Sequence, residues 1–193
     1  MKIVADEIHQ DFIYPGHTFT CLASISPALA DITVTCTSPS KTFNLAGLQQ
    51  SNIFIPNEKI RKAFIRQYQV SGLDEPNTFG IAATQAAYNH GDEWYEAMKK
   101  YVWENICYAK EFIDERIPDV KMNLPEGTYL FWLDFRKLGL SADELEDLII
   151  HKAGLWLDSG RIFGKSGEGF QRINAACPRS TIQEALERIE KVL

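Results

Sequence analysis

Asp6, Lys41 and Arg172 are the residues of this chain whose types and placement could carry covalent chemistry. The run Ile3-Val4-Ala5-Asp6-Glu7-Ile8 reads as a buried strand whose C-terminal end carries Asp6. Lys41 follows a second run, Ile32-Thr33-Val34-Thr35-Cys36-Thr37, which is β-branched and bounded by Asp31 and Ser38-Pro39. Ligands of open α/β sheets sit beyond the carboxyl ends of the strands. Ser38 and Ser40 add hydroxyl donors beside the amine of Lys41. An amine that attacks carbonyls, an acid that pairs with a ring cation, and donors for a phosphate are what pyridoxal phosphate requires. Spacing alone leaves a plainer alternative open, because a lysine past a strand end is ordinarily a solvated surface residue.

Other constellations are weaker. Gly164-Lys165-Ser166 invites a P-loop reading, but the first glycine of that motif would fall on Ser159 and no clear helix follows. A flexible loop between two strands accounts for it better. No GxSxG exists for a serine hydrolase. His9 lies among Asp6, Glu7 and Asp11, but not at a ligand spacing, and the four histidines form no HxxxH or HxH; no metal site is expected. Cys21, Cys36, Cys107 and Cys177 contain no CxxC pair and read as buried free thiols of a reducing cytoplasm.

Composition bounds what these residues can serve. The 193 residues suit one domain or two small ones, and 45% hydrophobic with 24% charged content excludes a disordered tail. A net charge of −6 without a basic stripe argues against nucleic acid as a partner. No apolar run is long enough to span a bilayer, so no membrane partner is expected. The N-terminus lacks the pattern of a signal peptide. The chain opens almost inside its first strand, which suggests an upstream portion that is missing.

The elements that must position the chemistry follow in order. Ser51 to Pro56 reads as a third strand. Asn57 and Asn77 cap two helices, and Gly91 precedes a long one from Glu93 to Arg116 with an apolar stripe. Thr128 to Phe135 is a strand, and Ser141 with Glu144 forms a capping box. Leu155 to Leu157 is a short strand, Gly160 to Gly169 a glycine-rich loop, and Arg172 to Cys177 a strand stopped by Pro178. Thr181 to Leu193 is a final amphipathic helix. The division expected is 1–92, a connecting helix 93–116, and a small α+β domain 117–193.

Four stretches carry a resemblance. Ser38-Pro39-Ser40-Lys41-Thr42-Phe43-Asn44-Leu45-Ala46-Gly47-Leu48 resembles the lysine motif of fold-type I pyridoxal-phosphate enzymes, and Ala5 to Asp11 resembles their preceding strand-end motif. Glu126 to Asp134 and Gln171 to Arg179 are similar to their two small-domain motifs. Within class I/II aminotransferases, the Asp-Glu-Ile-His and Lys-Thr-Phe-Asn wording is similar to the cystathionine β-lyase branch, C–S lyases that include the maltose-regulon modulator. The resemblance implies an α/β fold: the C-terminal part of the family's large domain, with its three-layer α/β/α sheet, followed by a small α+β domain. It implies pyridoxal 5'-phosphate as cofactor, an amino-acid substrate and a homodimer. Lys41 would carry the cofactor and act as general base at Cα, Asp6 would pair with the pyridine nitrogen, and Ser38 and Ser40 would donate to the phosphate. His9 would lie near the phenolic oxygen, where the wider family often has tyrosine. Arg172 would grip the substrate carboxylate, with Arg179 competing for that role but better suited to ending the strand.

Two departures qualify this. Many aminotransferases place a phosphate-binding arginine eight positions after the lysine, where this chain has Gln49, which fits the lyase branch. The family also has an N-terminal half before Asp6, supplying a phosphate loop and a ring-stacking aromatic. The expected activity is a C–S β-lyase, with an aminotransferase as runner-up and a non-catalytic regulatory protein as the reading from another class. The chain by itself is expected to be inactive. Strands near Val4, Val34 and Phe54, read as buried on both faces, would then lack sheet neighbours and invite self-association.

Overall fold

The computed structural model describes all 193 residues. The chain forms two compact units, Met1–Ala97 and Met98–Leu193, and the division falls within a single helix.

In Met1–Ala97 the elements run β1 (Ile3–Asp6), α1 (Pro27–Ala30), β2 (Thr33–Thr37), α2 (Pro39–Thr42), β3 (Asn52–Phe54), α3 (Glu58–Val70) and α4 (Thr78–His90), with the start of α5 (Asp92–Arg116). The sheet order is β1-β2-β3. β1 and β2 are parallel, with Asp6 opposite Cys36, and β3 is antiparallel to β2, with Ile53 opposite Cys36. A parallel pair needs a long crossover. Here it buries Phe12 and Tyr14 and passes through α1, where Ser26 accepts from Leu29 N–H and Pro27 takes the first turn. Thr33 Oγ1 then donates to Leu29 O at 2.7 Å and ties β2 to α1. Asn57 and Asn77 cap α3 and α4 through Ile60 N–H and Phe79 N–H, as their sequence positions predict.

The strands are not buried on both faces. Val4 is 72% exposed and Phe54 58%, whereas Thr33 and Thr35 on β2 are buried. By register Val4, Asp6, Val34, Cys36 and Ile53 share one face, on which Val4 and Asp6 are exposed and the others half-buried, whereas Phe54 stands opposite Thr35 on the other face and is exposed at the β3 edge of the sheet. β1 is also an edge strand.

In Met98–Leu193, α5 continues and is followed by β4 (Lys121–Met122), β5 (Leu130–Asp134), α6 (Ala142–Glu146), β6 (Asp158–Ser159), β7 (Phe170–Asn174) and α7 (Arg179–Glu190). The sheet is antiparallel throughout, in the order β4-β5-β7-β6. Val102, Ile106, Ala109 and Ile113 of α5 recur at helical spacing and are buried, as are Phe131 and Leu133 of β5, Ile173 of β7, and Ile182, Leu186 and Ile189 of α7. Ser141 and Glu144 form the reciprocal capping box of α6.

Three expected elements move. Leu155–Leu157 is not a strand: Leu155 N–H is taken by Ile149 O of the wide helical turn Asp147–Lys152, Trp156 is 88% exposed, and pairing with β7 starts only at Asp158. β7 runs from Phe170 to Asn174 rather than from Arg172 to Cys177, because the buried Asn105 of α5 captures the carbonyls of Ala175 and Cys177. α7 starts at Arg179, two residues early, where Tyr101 Oη accepts from its free N–H. The glycine-rich loop holds two 3₁₀ turns, Gly160–Phe163 and Lys165–Gly167.

Candidate functional site

Lys41 stands on the third turn-forming residue of α2, a one-turn helix that the sequence builds from a cap and a proline. Ser38 Oγ accepts from Ser40 N–H at 3.0 Å, Pro39 occupies the first helical position, and Phe43 N–H closes on Pro39 O. The helix is held from below: Thr42 Oγ1, buried, donates to Asp11 Oδ2 at 2.6 Å, and Asp11 O accepts from Tyr95 Oη at 2.5 Å. Ser38 Oγ also donates to Gln50 O at 2.6 Å. With the helix fixed on both sides, Lys41 is exposed and its amine has no ion-pair partner.

Asp6 ends the neighbouring parallel strand, so it and Lys41 belong to the same end of the same sheet. Asp6 is exposed; Oδ1 accepts from Ile8 N–H at 3.2 Å, and Oδ2 accepts from nothing. Its charge reaches Cys36 across the pair: burial first, and then the Asp6 carboxylate, push that thiol's pKa upward. Glu7 turns the other way. It is buried, its Oε1 accepts from Leu22 N–H at 2.9 Å, and its own N–H continues the ladder to Cys36 O. His9 is half-buried in the turn that follows, where its carbonyl accepts from Phe12 N–H.

Arg172 belongs to the other unit, on β7 opposite Trp132 of β5 and Asp158 of β6. Its Nε and Nη2 both donate to Asp158 Oδ2, at 3.1 and 2.7 Å, and its guanidinium lies 4.6 Å from the centroid of Phe163. Burial pushes the Tyr129 phenol upward, and the positive charge of Arg172 partly opposes that. Arg179 is committed elsewhere. Its Nε donates to Asn105 Oδ1 at 2.6 Å and its guanidinium covers the ring of Tyr108 at 4.7 Å. These contacts tie α7 to α5.

The profile of the aminotransferase class I and II family matches residues 1–189, and the chain belongs to that family. It is 44% identical over 193 residues to cystathionine beta-lyase PatB of Bacillus subtilis (strain 168), spanning 100% of this chain and 50% of that protein. Protein MalY of Escherichia coli (strain K12) is 30% identical over 96% of this chain and 47% of its own length. Among solved structures, cystalysin from Treponema denticola, which contains a pyridoxal 5'-phosphate cofactor, superposes with a TM-score of 0.96 at 42% identity, over 100% of this chain and 49% of that one. The chain spans about half the length of the curated relatives it matches. The mixed α/β fold is that of the fold-type I pyridoxal-phosphate aminotransferases.

The residues present suit such a cofactor by the chemistry of the donor set, though unevenly. The Lys41 amine, one Asp6 carboxylate oxygen and the Ser40 hydroxyl are without protein partners. The Ser38 hydroxyl is engaged with Gln50 O, so a phosphate would compete with that carbonyl for its proton. Sequence reasoning found these residues but missed Asp11, Thr42, Asp158 and Phe163, which hold them. The Ser38-Pro39 pair, read from the sequence only as the end of the second strand, starts α2, and the partners across loops leave no local signal.

Proposed function

We propose that the protein of which these residues form the lysine- and arginine-bearing part is a pyridoxal-phosphate-dependent C–S β-lyase. It would convert cystathionine or cysteine and water to a thiol, pyruvate and ammonia. The observation that carries the reading is the exposed, unpaired Lys41 amine on a rigidly held turn, at the same sheet end as the open carboxylate oxygen of Asp6. When bound, pyridoxal phosphate supplies an electron-withdrawing ring that acidifies the Cα proton of an amino acid. Lys41 would hold the cofactor through its amine and would be the base that takes that proton. Asp6 would keep a proton on the ring nitrogen, as a carboxylate beside a cation does. Ser40 and Ser38 would donate to the phosphate, His9 would help hold the cofactor, and Arg172 would bind the substrate α-carboxylate through its planar fork. An amino-acid substrate, a homodimeric state and a cytoplasmic location belong to the same proposal. No helix is long and apolar enough to cross a membrane.

An aminotransferase would use the same lysine and arginine, and a solved relative from Clostridium difficile 630, 44% identical, is described as a putative aminotransferase. Gln49 in place of an arginine favours the lyase. Incubating the cofactor-loaded protein with cystathionine, with and without a 2-oxo acid, decides between them. Pyruvate released without an acceptor is the expected result; amino-group transfer that requires the 2-oxo acid would replace the lyase by the transaminase.

A further inference from the structure

We propose that Asp158, Phe163 and the Gly160–Gly167 contact form a cradle that fixes the Arg172 guanidinium for a carboxylate ligand, which makes them the positioning residues of that site. The inference rests on reading Arg172 as the carboxylate clamp.

A guanidinium has two edges that can hold a carboxylate: the side edge, Nε with Nη2, and the end edge, Nη1 with Nη2. Asp158 takes the side edge with a single oxygen, Oδ2. Nη1 is left without a partner, and the end edge is the one that remains to grip a ligand. Phe163 closes one face of the plane at 4.6 Å. Phe163 in turn packs edge-on against Trp132 at 5.3 Å, and Trp132 stands opposite Arg172 in the sheet register. The guanidinium is therefore held in two directions, along its side edge and against its face.

Phe163 reaches this place because the glycine-rich loop is pinched at its base. A Cβ on Gly160 would lie 2.0 Å from Gly167 O, and a Cβ on Gly167 would lie 2.1 Å from Gly160 O. Neither position accepts a side chain without the loop opening. The 3₁₀ turn Gly160–Phe163 projects from that pinch, immediately after β6 delivers Asp158. This gives the Gly160–Gly169 segment a purpose that a phosphate-binding motif does not: it carries Phe163, one partner of Arg172, directly after β6 supplies the other, Asp158. The ion pair contributes little to stability, since the side chains of Arg172 and Asp158 are 25% and 50% exposed. Its effect is on orientation, and removing it leaves the fold in place.

The competing possibility is that Asp158 is a stand-in, an internal carboxylate that a ligand must displace. The two have opposite signs. The test follows the Arg172 Nε–Hε signal by ¹⁵N NMR in the purified protein, assigned by its loss in Arg172→Lys, while propionate is titrated in. In the wild type the signal is expected to exchange slowly with solvent and to shift with propionate. Asp158→Asn is expected to speed that exchange and weaken propionate binding by about tenfold. Gly160→Ala is expected to act in the same direction, and Asp158→Glu to restore part of the loss. Propionate binding that is unchanged or tighter in Asp158→Asn overturns the cradle and leaves the clamp standing. A wild-type Arg172 signal indifferent to propionate overturns the clamp itself.

Discussion

At the residue scale, the proposed chemistry rests on one amine. Lys41 is the lysine that follows β2 in a held turn, so Lys41→Ala should abolish the visible absorption of lysine-bound cofactor when the protein is mixed with pyridoxal phosphate. Borohydride should then fix no cofactor to the variant; retention of a reducible adduct would move the role to another lysine. Asn105 matters in a different way. It is completely buried, donates to Ala175 O and Cys177 O at 3.0 and 2.8 Å, and accepts from Arg179 Nε. Asn105→Ala leaves two carbonyls and a guanidinium nitrogen unmatched. The expected loss is about 3 kcal/mol, read as a lower urea midpoint at an unchanged slope. A loss below about 1 kcal/mol would mean that water replaces the amide.

At the scale of elements, β5 ends in an acid-sensitive turn. Asp134 accepts from the N–H of Arg136 and from its guanidinium, at 3.0, 2.9 and 2.7 Å, and these bonds hold its carboxyl below the usual carboxylate range against the opposing effect of burial. A carboxyl whose pKa is depressed on folding stabilises the fold at neutral pH, and that contribution disappears as pH falls through the folded value. Wild-type stability should therefore fall on acidification below about pH 4, and Asp134→Asn should flatten that part of the curve. Equal acid slopes in the two proteins would remove Asp134 from the account. Elements whose signals are local were legible in the sequence: the caps at Asn57 and Asn77, the box at Ser141 and Glu144, and the stripe of α5. Those decided by distant partners were not. β4 is two residues long and exists only through β5, β7 ends where Asn105 draws the chain away, and β6 is displaced from Leu155–Leu157 by the wide turn before it. The candidate site divides the same way. Asp6, Lys41 and Arg172 were named by type and position, whereas Thr42 against Asp11 and Phe163 against Arg172 meet across loops.

At the scale of the whole molecule, the two units are unequally built. Of the buried apolar side chains, only Phe12, Tyr14, Pro39 and Ile55 belong to Met1–Ala97, and α3 buries none of its residues. The Met98–Leu193 unit holds the rest around α5, β5 and α7. Because stability follows buried apolar area, the first unit should open at lower free energy. Limited trypsin digestion should cut at Lys59, Lys62 or Arg66 before any site in the second unit, and early cutting at Arg172 or Arg188 would contradict this. The edge position of β1 has a consequence of its own. Ile3 and Glu7 donate their N–H groups to Ile32 O and Cys36 O, and in a parallel ladder the alternate amides, Val4 and Asp6, point outward from the sheet. Deuterium from the solvent should therefore enter this strand in a comb pattern, rapidly at Val4 and Asp6 and slowly at Ala5 and Glu7. Any second strand that docks along β1 would show itself as the filling-in of the two fast teeth.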